Sequence, residues 1–332
     1  MRILALVICV LSGCATFEDP SIVLDLRIIA MTATIDRVQS GGFGPEQVID
    51  VDLERPNPTE ILAQLQPTEV CALIADPAAH RDLRWKMSVC ILGLDNRCDL
   101  EHPVIELGSG LIDDPDDSET LEQPCATLFP DQKLLTILRE AVEANPIQAL
   151  GGIEYGVVME VDDPRSPEIS VFAAKHLRVA AHIPITRRAN INPYIDYLDG
   201  AVTSVGVQIP RARCNDTPSL SFEIPEVKGG EVVTLFPVEP ESAREEYFAP
   251  TLSGGAQRIT ETLTYQWLAA QGSFSDETTG GGHDILGNQS LLGTEWRAPR
   301  GLKIATNISL WMIQRDERYG NSVLETCIRV LP

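Results

Sequence analysis

Over much of this chain, apolar residues fall at every second position, in short runs broken by Pro, Gly, Asp and Asn. That alternation belongs to strands with one buried face. It predicts strands near residues 22–34, 69–75, 83–90, 155–161 and 169–180, with Trp85, Met87 and Val89 sharing one face of the third. Further strands are expected near 193–198, 232–238, 263–269, 308–313 and 323–331, with Tyr265 and Trp267 on one face. One segment departs from the pattern. Leu134, Leu135, Leu138 and Val142 recur at helical spacing, Asp131 is placed to cap the N-terminus, and Asn145-Pro146 stops the run. A helix over 131–145 is expected there, inserted into a β-domain. Residues 91–130 show no period and are expected to be irregular and acidic.

The order of elements occurs twice. Each half ends in two strands joined by a charged turn, at 162–167 and at 315–320. The closing strands share an echo, His176-Leu177-Arg178-Val179 against Cys327-Ile328-Arg329-Val330. Arg84-Trp85 and Gln266-Trp267 hold matching places in the two halves. The reading is a mostly β chain of two tandem sandwiches, 22–185 with the inserted loop and helix, and 193–332, joined by a linker at 186–192.

Two resemblances sharpen this. The run from Thr262 through Tyr265-Gln266-Trp267, then Gly272-Ser273-Phe274, Trp296-Arg297-Ala298-Pro299 and the Arg315-Asp316 turn resembles a bacterial immunoglobulin-like or PKD-like domain. In such a sandwich a strand-borne Trp packs between the sheets. The likeness covers 190–332 more fully than 22–185, which has no counterpart of Trp296-Arg297-Ala298-Pro299. No cysteine lies in 155–161, so the antibody-type disulfide is not expected.

At the N-terminus, Arg2 precedes nine apolar residues, 3–11, and then Ser12-Gly13-Cys14. Nine are too few to span a bilayer as a helix, which takes about 20. Leu11-Ser12-Gly13-Cys14 is similar to the lipobox of Gram-negative lipoproteins. That resemblance implies a signal peptide over 1–13 and a lipid anchor with palmitate on Cys14. It also implies a tether over 14–21 and, with Ala15 next, the outer membrane.

The charge of −22, from 48 acidic against 26 basic residues, argues against nucleic acid as a partner. Of eight cysteines, Cys9 and Cys14 fall in the leader and lipobox, leaving an even six. An even set in an exported chain points to disulfides. Cys90 and Cys98 are close enough to close a small loop, and Cys214 and Cys327 are the two in the C-terminal half. No Cys-x-x-Cys pair favours zinc.

The chain carries no Gly-x-Ser-x-Gly, His-Glu-x-x-His or Gly-x-x-x-x-Gly-Lys motif. His176 and His182 are close in sequence, and His283 adjoins Asp284 beyond a glycine run, but neither spacing defines a metal site. Asp113, Asp114, Asp116 and Asp117 could supply oxygen ligands to calcium, although they lack the spacing of an EF-hand. No other cofactor is expected. The expectation is therefore a non-enzymatic, lipid-anchored envelope protein with a structural or protein-binding role and an envelope protein partner. The alternatives are a carbohydrate- or peptidoglycan-binding module, with Trp311 and Tyr319 as aromatic candidates, and a carboxylate-dependent hydrolase.

Overall fold

The computed structural model describes residues 19–35, 44–52, 55, 57–77, 81–112, 123–146, 151–195, 197–202, 205–215, 224–251, 255–282 and 290–332. The signal peptide, Cys14 and the acidic set Asp113, Asp114, Asp116 and Asp117 lie outside them, as do His80 and His283.

The chain is mostly β. The first half contains β1 (Arg27–Ile35), β2 (Glu46–Ile49), helix α1 (Pro58–Gln64), β3 (Thr68–Ala75), β4 (Leu83–Cys90), β5 (Ile105–Ile112), β6 (Cys125–Leu128), helix α2 (Gln132–Ala144), β7 (Ile153–Asp163) and β8 (Ser166–Ala181). The second half contains β9 (Tyr197–Val202), β10 (Val205–Pro210), β11 (Glu226–Lys228), β12 (Val232–Pro237), β13 (Glu246–Pro250), β14 (Ala256–Thr260) and β15 (Thr264–Ala269). It closes with β16 (Ser273–Phe274), β17 (Thr278–Gly280), β18 (Thr294–Arg297), β19 (Thr306–Arg315) and β20 (Asn321–Leu331).

Each half builds two facing sheets. The first pairs β1-β3-β6 with β2-β8-β7-β4-β5, and the second pairs β10-β9-β12-β18-β16 with β11-β20-β19-β15-β17. Strand for strand, β2, β8, β7, β4 and β5 correspond to β11, β20, β19, β15 and β17. Both closing strands gain a short parallel neighbour, in which Glu46 faces Arg178 and Glu226 faces Arg329. The two-sheet arrangement with a Trp on an inner strand, Trp85 on β4 and Trp267 on β15, is that of an immunoglobulin-type sandwich. Register refines the repeat. With Tyr155↔Leu177 matched to Ile308↔Ile328, Trp85 falls on Tyr265 and Met87 on Trp267. The two tryptophans thus share a strand and a face but sit one alternation apart.

Two apolar cores follow. One gathers Met31, Ala33, Val70, Ile74, Met87, Val89, Tyr155, Met159 and Leu177, and α2 seals it with Leu134, Ile137 and Leu138. The other is centred on Trp267, Trp296 and Trp311. The cores share a wall. On β3, Val70, Ala72 and Ile74 face the first core, while Leu73 and Ala75 join the second. On β1, Met31 and Ala33 face the first, while Ile29 and Ala30 join the second. Residues 21–23 reach further, with Val23 N–H donating to Ala269 O at 2.8 Å and Ala269 N–H to Ser21 O at 2.9 Å.

The helix forms where its periodicity placed it, with Leu134 N–H donating to the Asp131 carboxylate at 2.9 Å. The segment 91–130 differs from expectation, because β5 and β6 lie within it. The β5 sequence hides its strand, since Gly108 and Gly110 stand where alternation would want side chains. A Cβ on Gly110 would lie 2.9 Å from Trp85 Nε1, and one on Gly108 3.3 Å from the same ring. The indole fills the space those glycines leave on an edge strand. The opening strand expected at 193–198 begins later, at Tyr197, and the hairpin β13–β14, with β14 largely exposed, had no apolar alternation to reveal it.

Among the described residues, three disulfides form: Cys71–Cys125, Cys90–Cys98 and Cys214–Cys327. Cys71 and Cys125 face each other on neighbouring strands of one sheet, unlike the inter-sheet antibody bond.

Gly110→Val should drive a side chain into Trp85 and lower stability by about 1–3 kcal/mol, the usual cost of overpacking. Gly206→Val, with nothing within 4 Å of its Cβ position, should leave the melting temperature nearly unchanged. Thermal unfolding of both variants checks the contrast.

Candidate functional site

The most densely built polar region lies where the two sandwiches meet. Its centre is Arg318, in the turn between β19 and β20. Its guanidinium meets three carboxylates: Nε to Glu261 Oε1 at 2.6 Å, Nη2 to Glu245 Oε2 at 2.6 Å and Nη1 to Glu46 Oε2 at 3.5 Å. Glu46 opens β2 of the first sandwich, and Glu245 and Glu261 flank the β13–β14 hairpin of the second. Arg187 adds a second cation, with Nη2 2.7 Å from Glu46 Oε1. The Tyr247 ring covers Arg318 at 4.5 Å.

The turn is shaped to deliver this group. Asp316 Oδ1 accepts the backbone N–H groups of Arg318 and Gly320, both at 2.7 Å. Tyr319 takes a positive φ of 76°. A Cβ on Gly320 would lie 1.9 Å from Asp316 Oδ2, so only glycine fits. Asn190 is fully buried, and its Nδ2 donates to Asp316 Oδ2 at 2.9 Å and to Arg318 O at 3.1 Å. The segment expected as a linker therefore packs into the junction.

The same turn clasps β8 from both faces. Tyr319 stacks on His176 with ring centroids 4.9 Å apart and receives Arg178 over its ring at 4.8 Å. Lys175, on the opposite face by strand alternation, donates from Nζ to Tyr319 O at 2.5 Å and to Asn321 Oδ1. Two asparagines cap the free edge of β1: Asn321 Nδ2 donates to Met31 O at 2.9 Å and Asn192 Nδ2 to Ala33 O at 2.7 Å.

Burial sets the protonation of these groups. It pushes Glu261 up to about 7 against the opposing charge of Arg318, and it raises Glu245 in the same direction. Burial pulls Lys175 down to about 7, with the charge of Asp316 acting against it. His176 is held below its ordinary value, again chiefly by burial.

A cleft of about 880 Å³ opens beside this junction, lined by Thr32, Thr34 and Gln123 from the first half and Tyr194, Arg211 and Arg213 from the second. Tyr194 is 53% exposed and lies 5.6 Å from the Arg211 guanidinium.

The sites expected from sequence are placed as follows. Trp311 is fully buried, and Tyr319 is engaged with His176 and Arg178, so neither offers a platform for a sugar. His182 lies 3.0 Å from Asp50, whereas His176 is stacked on Tyr319, so the two histidines do not converge. Among the described residues one set, Glu69, Cys71 and Cys125, brings potential metal-ligand atoms within 4.8 Å of one another. Both sulfurs are spent in a disulfide and offer no thiolate. Glu46 and Glu261 are 1% exposed at the side chain and bonded to Arg318, so this carboxylate group is closed to a substrate. Sequence reasoning missed the junction, because Arg318 and its partners are separated by up to 272 positions.

No family model matches the chain, and no curated protein matches it. Among solved structures, the two tandem V-type regions of VCBP3, a v-region-containing chitin binding protein, align at 11% identity over 92% of this chain and 100% of that one, with a TM-score of 0.24. The C-terminal domain of the Streptococcus agalactiae AgI/II polypeptide BspA aligns at 8% identity over 91% of this chain and 100% of that one, with a TM-score of 0.20. Red sea bream transglutaminase aligns at 9% identity over 80% of this chain, with a TM-score of 0.21, and this chain spans 29% of its length. Scores this low leave the fold resting on the chain's own strand pairing.

Arg318→Met should cost about 3–5 kcal/mol near pH 8, the usual result of leaving buried carboxylates without their cation. A carboxyl whose folded pKa lies above its unfolded value gives stability at low pH that fades as pH rises toward the folded value. For Glu261 that window runs from the ordinary carboxylate range up to about 7. Unfolding free energy should therefore fall across it, more steeply in Arg318→Met and less steeply in Glu261→Gln. Denaturant titrations at several pH values check the order of the three slopes.

Proposed function

We propose that this chain is a lipid-anchored envelope protein whose two sandwiches, held in one arrangement, present a binding surface to a protein partner, without catalysis. The junction is the observation that carries this reading. A tether or spacer needs no buried ionic contact between its sandwiches, whereas a surface built from both halves needs them fixed. The cleft is such a surface, with residues from either side of the junction on its walls. Fixing the parts before binding reduces the entropy cost of association. The six paired cysteines support export to an oxidising compartment. The lipobox ending at Cys14 supports attachment at the membrane, and more than one acyl chain is what stable attachment requires. Calcium at the Asp113–Asp117 region stays a proposal for metal-binding measurements.

The test has two arms. Cys14→Ala should abolish metabolic palmitate labelling and move the protein out of the membrane fraction. Labelling that survives the substitution overturns the anchor. Crosslinking in intact cells, followed by capture through this chain, should recover a specific protein whose yield drops in a Gln123→Glu/Tyr194→Ala variant, changed at two exposed positions of the cleft wall. Equal yield from that variant removes the cleft from the reading.

A further inference from the structure

We infer that Lys175 and Asn321 form a site of intramolecular covalent modification, an isopeptide bond between Lys175 Nζ and Asn321 Cγ that welds the first sandwich to the second. This goes beyond the binding role proposed above and does not depend on it.

The geometry carries the inference. Lys175 and Asn321 are 5% and 7% exposed, and Nζ contacts the side-chain oxygen of Asn321. The carbon the amine would attack lies one C=O bond length, about 1.2 Å, beyond that oxygen. Asn321 is held at three points. Its side-chain oxygen faces Lys175, its side-chain nitrogen donates to Met31 O at 2.9 Å, and its backbone N–H donates to Asn192 Oδ1 at 3.1 Å. Holding two reacting groups in contact turns a slow bimolecular step into an intramolecular one, with effective concentrations that can reach about 10⁵ M or more.

Protonation favours the step as well. An ammonium is no nucleophile, but a desolvated lysine is partly the free amine. Burial brings Lys175 to about 7, and its hydrogen-bond partners are the Tyr319 carbonyl and the Asn321 carboxamide rather than a carboxylate. The charged groups acting on it are Asp316, which favours the ammonium, and Arg315, which disfavours it; its neighbour His176 faces the other side of β8, stacked on Tyr319.

The reaction balances without an oxidant, reductant or second substrate. The Nζ lone pair attacks Asn321 Cγ, and a C–N bond forms. One proton passes from Nζ to the departing side-chain nitrogen. The Cγ–Nδ2 bond then breaks, the carbonyl is restored, and ammonia leaves. The product is a secondary amide, uncharged, whose single N–H can donate to one of the two backbone carbonyls already at the site, Tyr319 O or Met31 O. It replaces a buried titrating amine with a neutral group, which removes a desolvation cost.

Peptide mapping of the full-length protein tests this. After reduction, alkylation and trypsin digestion, a bonded chain resists cleavage at Lys175. It yields peptide 166–178 joined to peptide 319–329, lighter than their sum by one ammonia, with fragment ions that place the link at Lys175 and Asn321. Lys175→Arg, which keeps a cation but cannot form the bond, should yield peptide 319–329 alone. Recovery of the linear peptides 166–175 and 319–329 from the wild-type chain, with no joined product, overturns the inference.

Discussion

The structure turns on a buried guanidinium surrounded by more carboxylates than it can neutralise. Arg318 serves Glu46, Glu245 and Glu261 directly, and Asp316 stands two residues away with its oxygens on the same turn. Arg187 is the second cation, through Glu46. Taking such charges out of water costs several kcal/mol each, repaid only by close and saturated contacts. That demand explains the local chemistry around it. Gly320 is there because a side chain would strike Asp316, and Tyr319 takes a left-handed backbone so that the turn can close. Asn190 is drawn from the connecting segment to satisfy Asp316 and the Arg318 carbonyl. Burial raises Glu261 to about 7 against the pull of Arg318, and the charges of Asp316 and Glu245 add to the rise.

The ionic contact orients the sandwiches, and apolar packing supplies the adhesion. The β1-β3-β6 sheet has two buried faces, one for each core, which a lone sandwich would not require. Without the second half, Ile29, Leu73 and Ala75 would meet water. At roughly 25 cal/mol per Å² of apolar surface, that exposure outweighs any single surface ion pair. The division into 22–185 and 193–332 therefore describes the order of elements along the chain, while the cores interlock across it through residues 21–30 and β3.

What could be read from the sequence follows from the range of each signal. Strands with one apolar face announced themselves, and so did α2, because Asp131 and the Leu134–Leu138 spacing act within a few residues. The repeat was legible through the closing strands, although its register places Trp85 against Tyr265 rather than Trp267. β5 was not legible, since its core-filling atoms belong to Trp85 on the next strand. β13 and β14 were hidden for another reason, because β14 is exposed along nearly its whole length and shows no apolar alternation. The junction had no local signature at all. Glu46 and Arg318 look like ordinary surface charges until folding brings them together.

The junction is built from the places where the two copies differ. The first copy passes from β3 to β4 over a short connection, whereas the second inserts β13–β14 between β12 and β15, and this insertion carries Glu245 and Glu261 at its two ends. The first closing hairpin turns over Pro164 and Arg165, with Asp163 accepting the Arg165 N–H at 2.7 Å. The second keeps the same aspartate-to-backbone device at Asp316 and Arg318, but it is longer and projects Arg318, Tyr319 and Asn321 toward the first sandwich. A strictly symmetric pair would have no residues to reach across. The common strand order makes two self-sufficient sheets pairs possible in principle, and the asymmetric insertions convert them into one interlocked body. The functional surface should accordingly be sought beside these insertions, where both halves contribute, rather than on the exposed faces that either copy could offer alone.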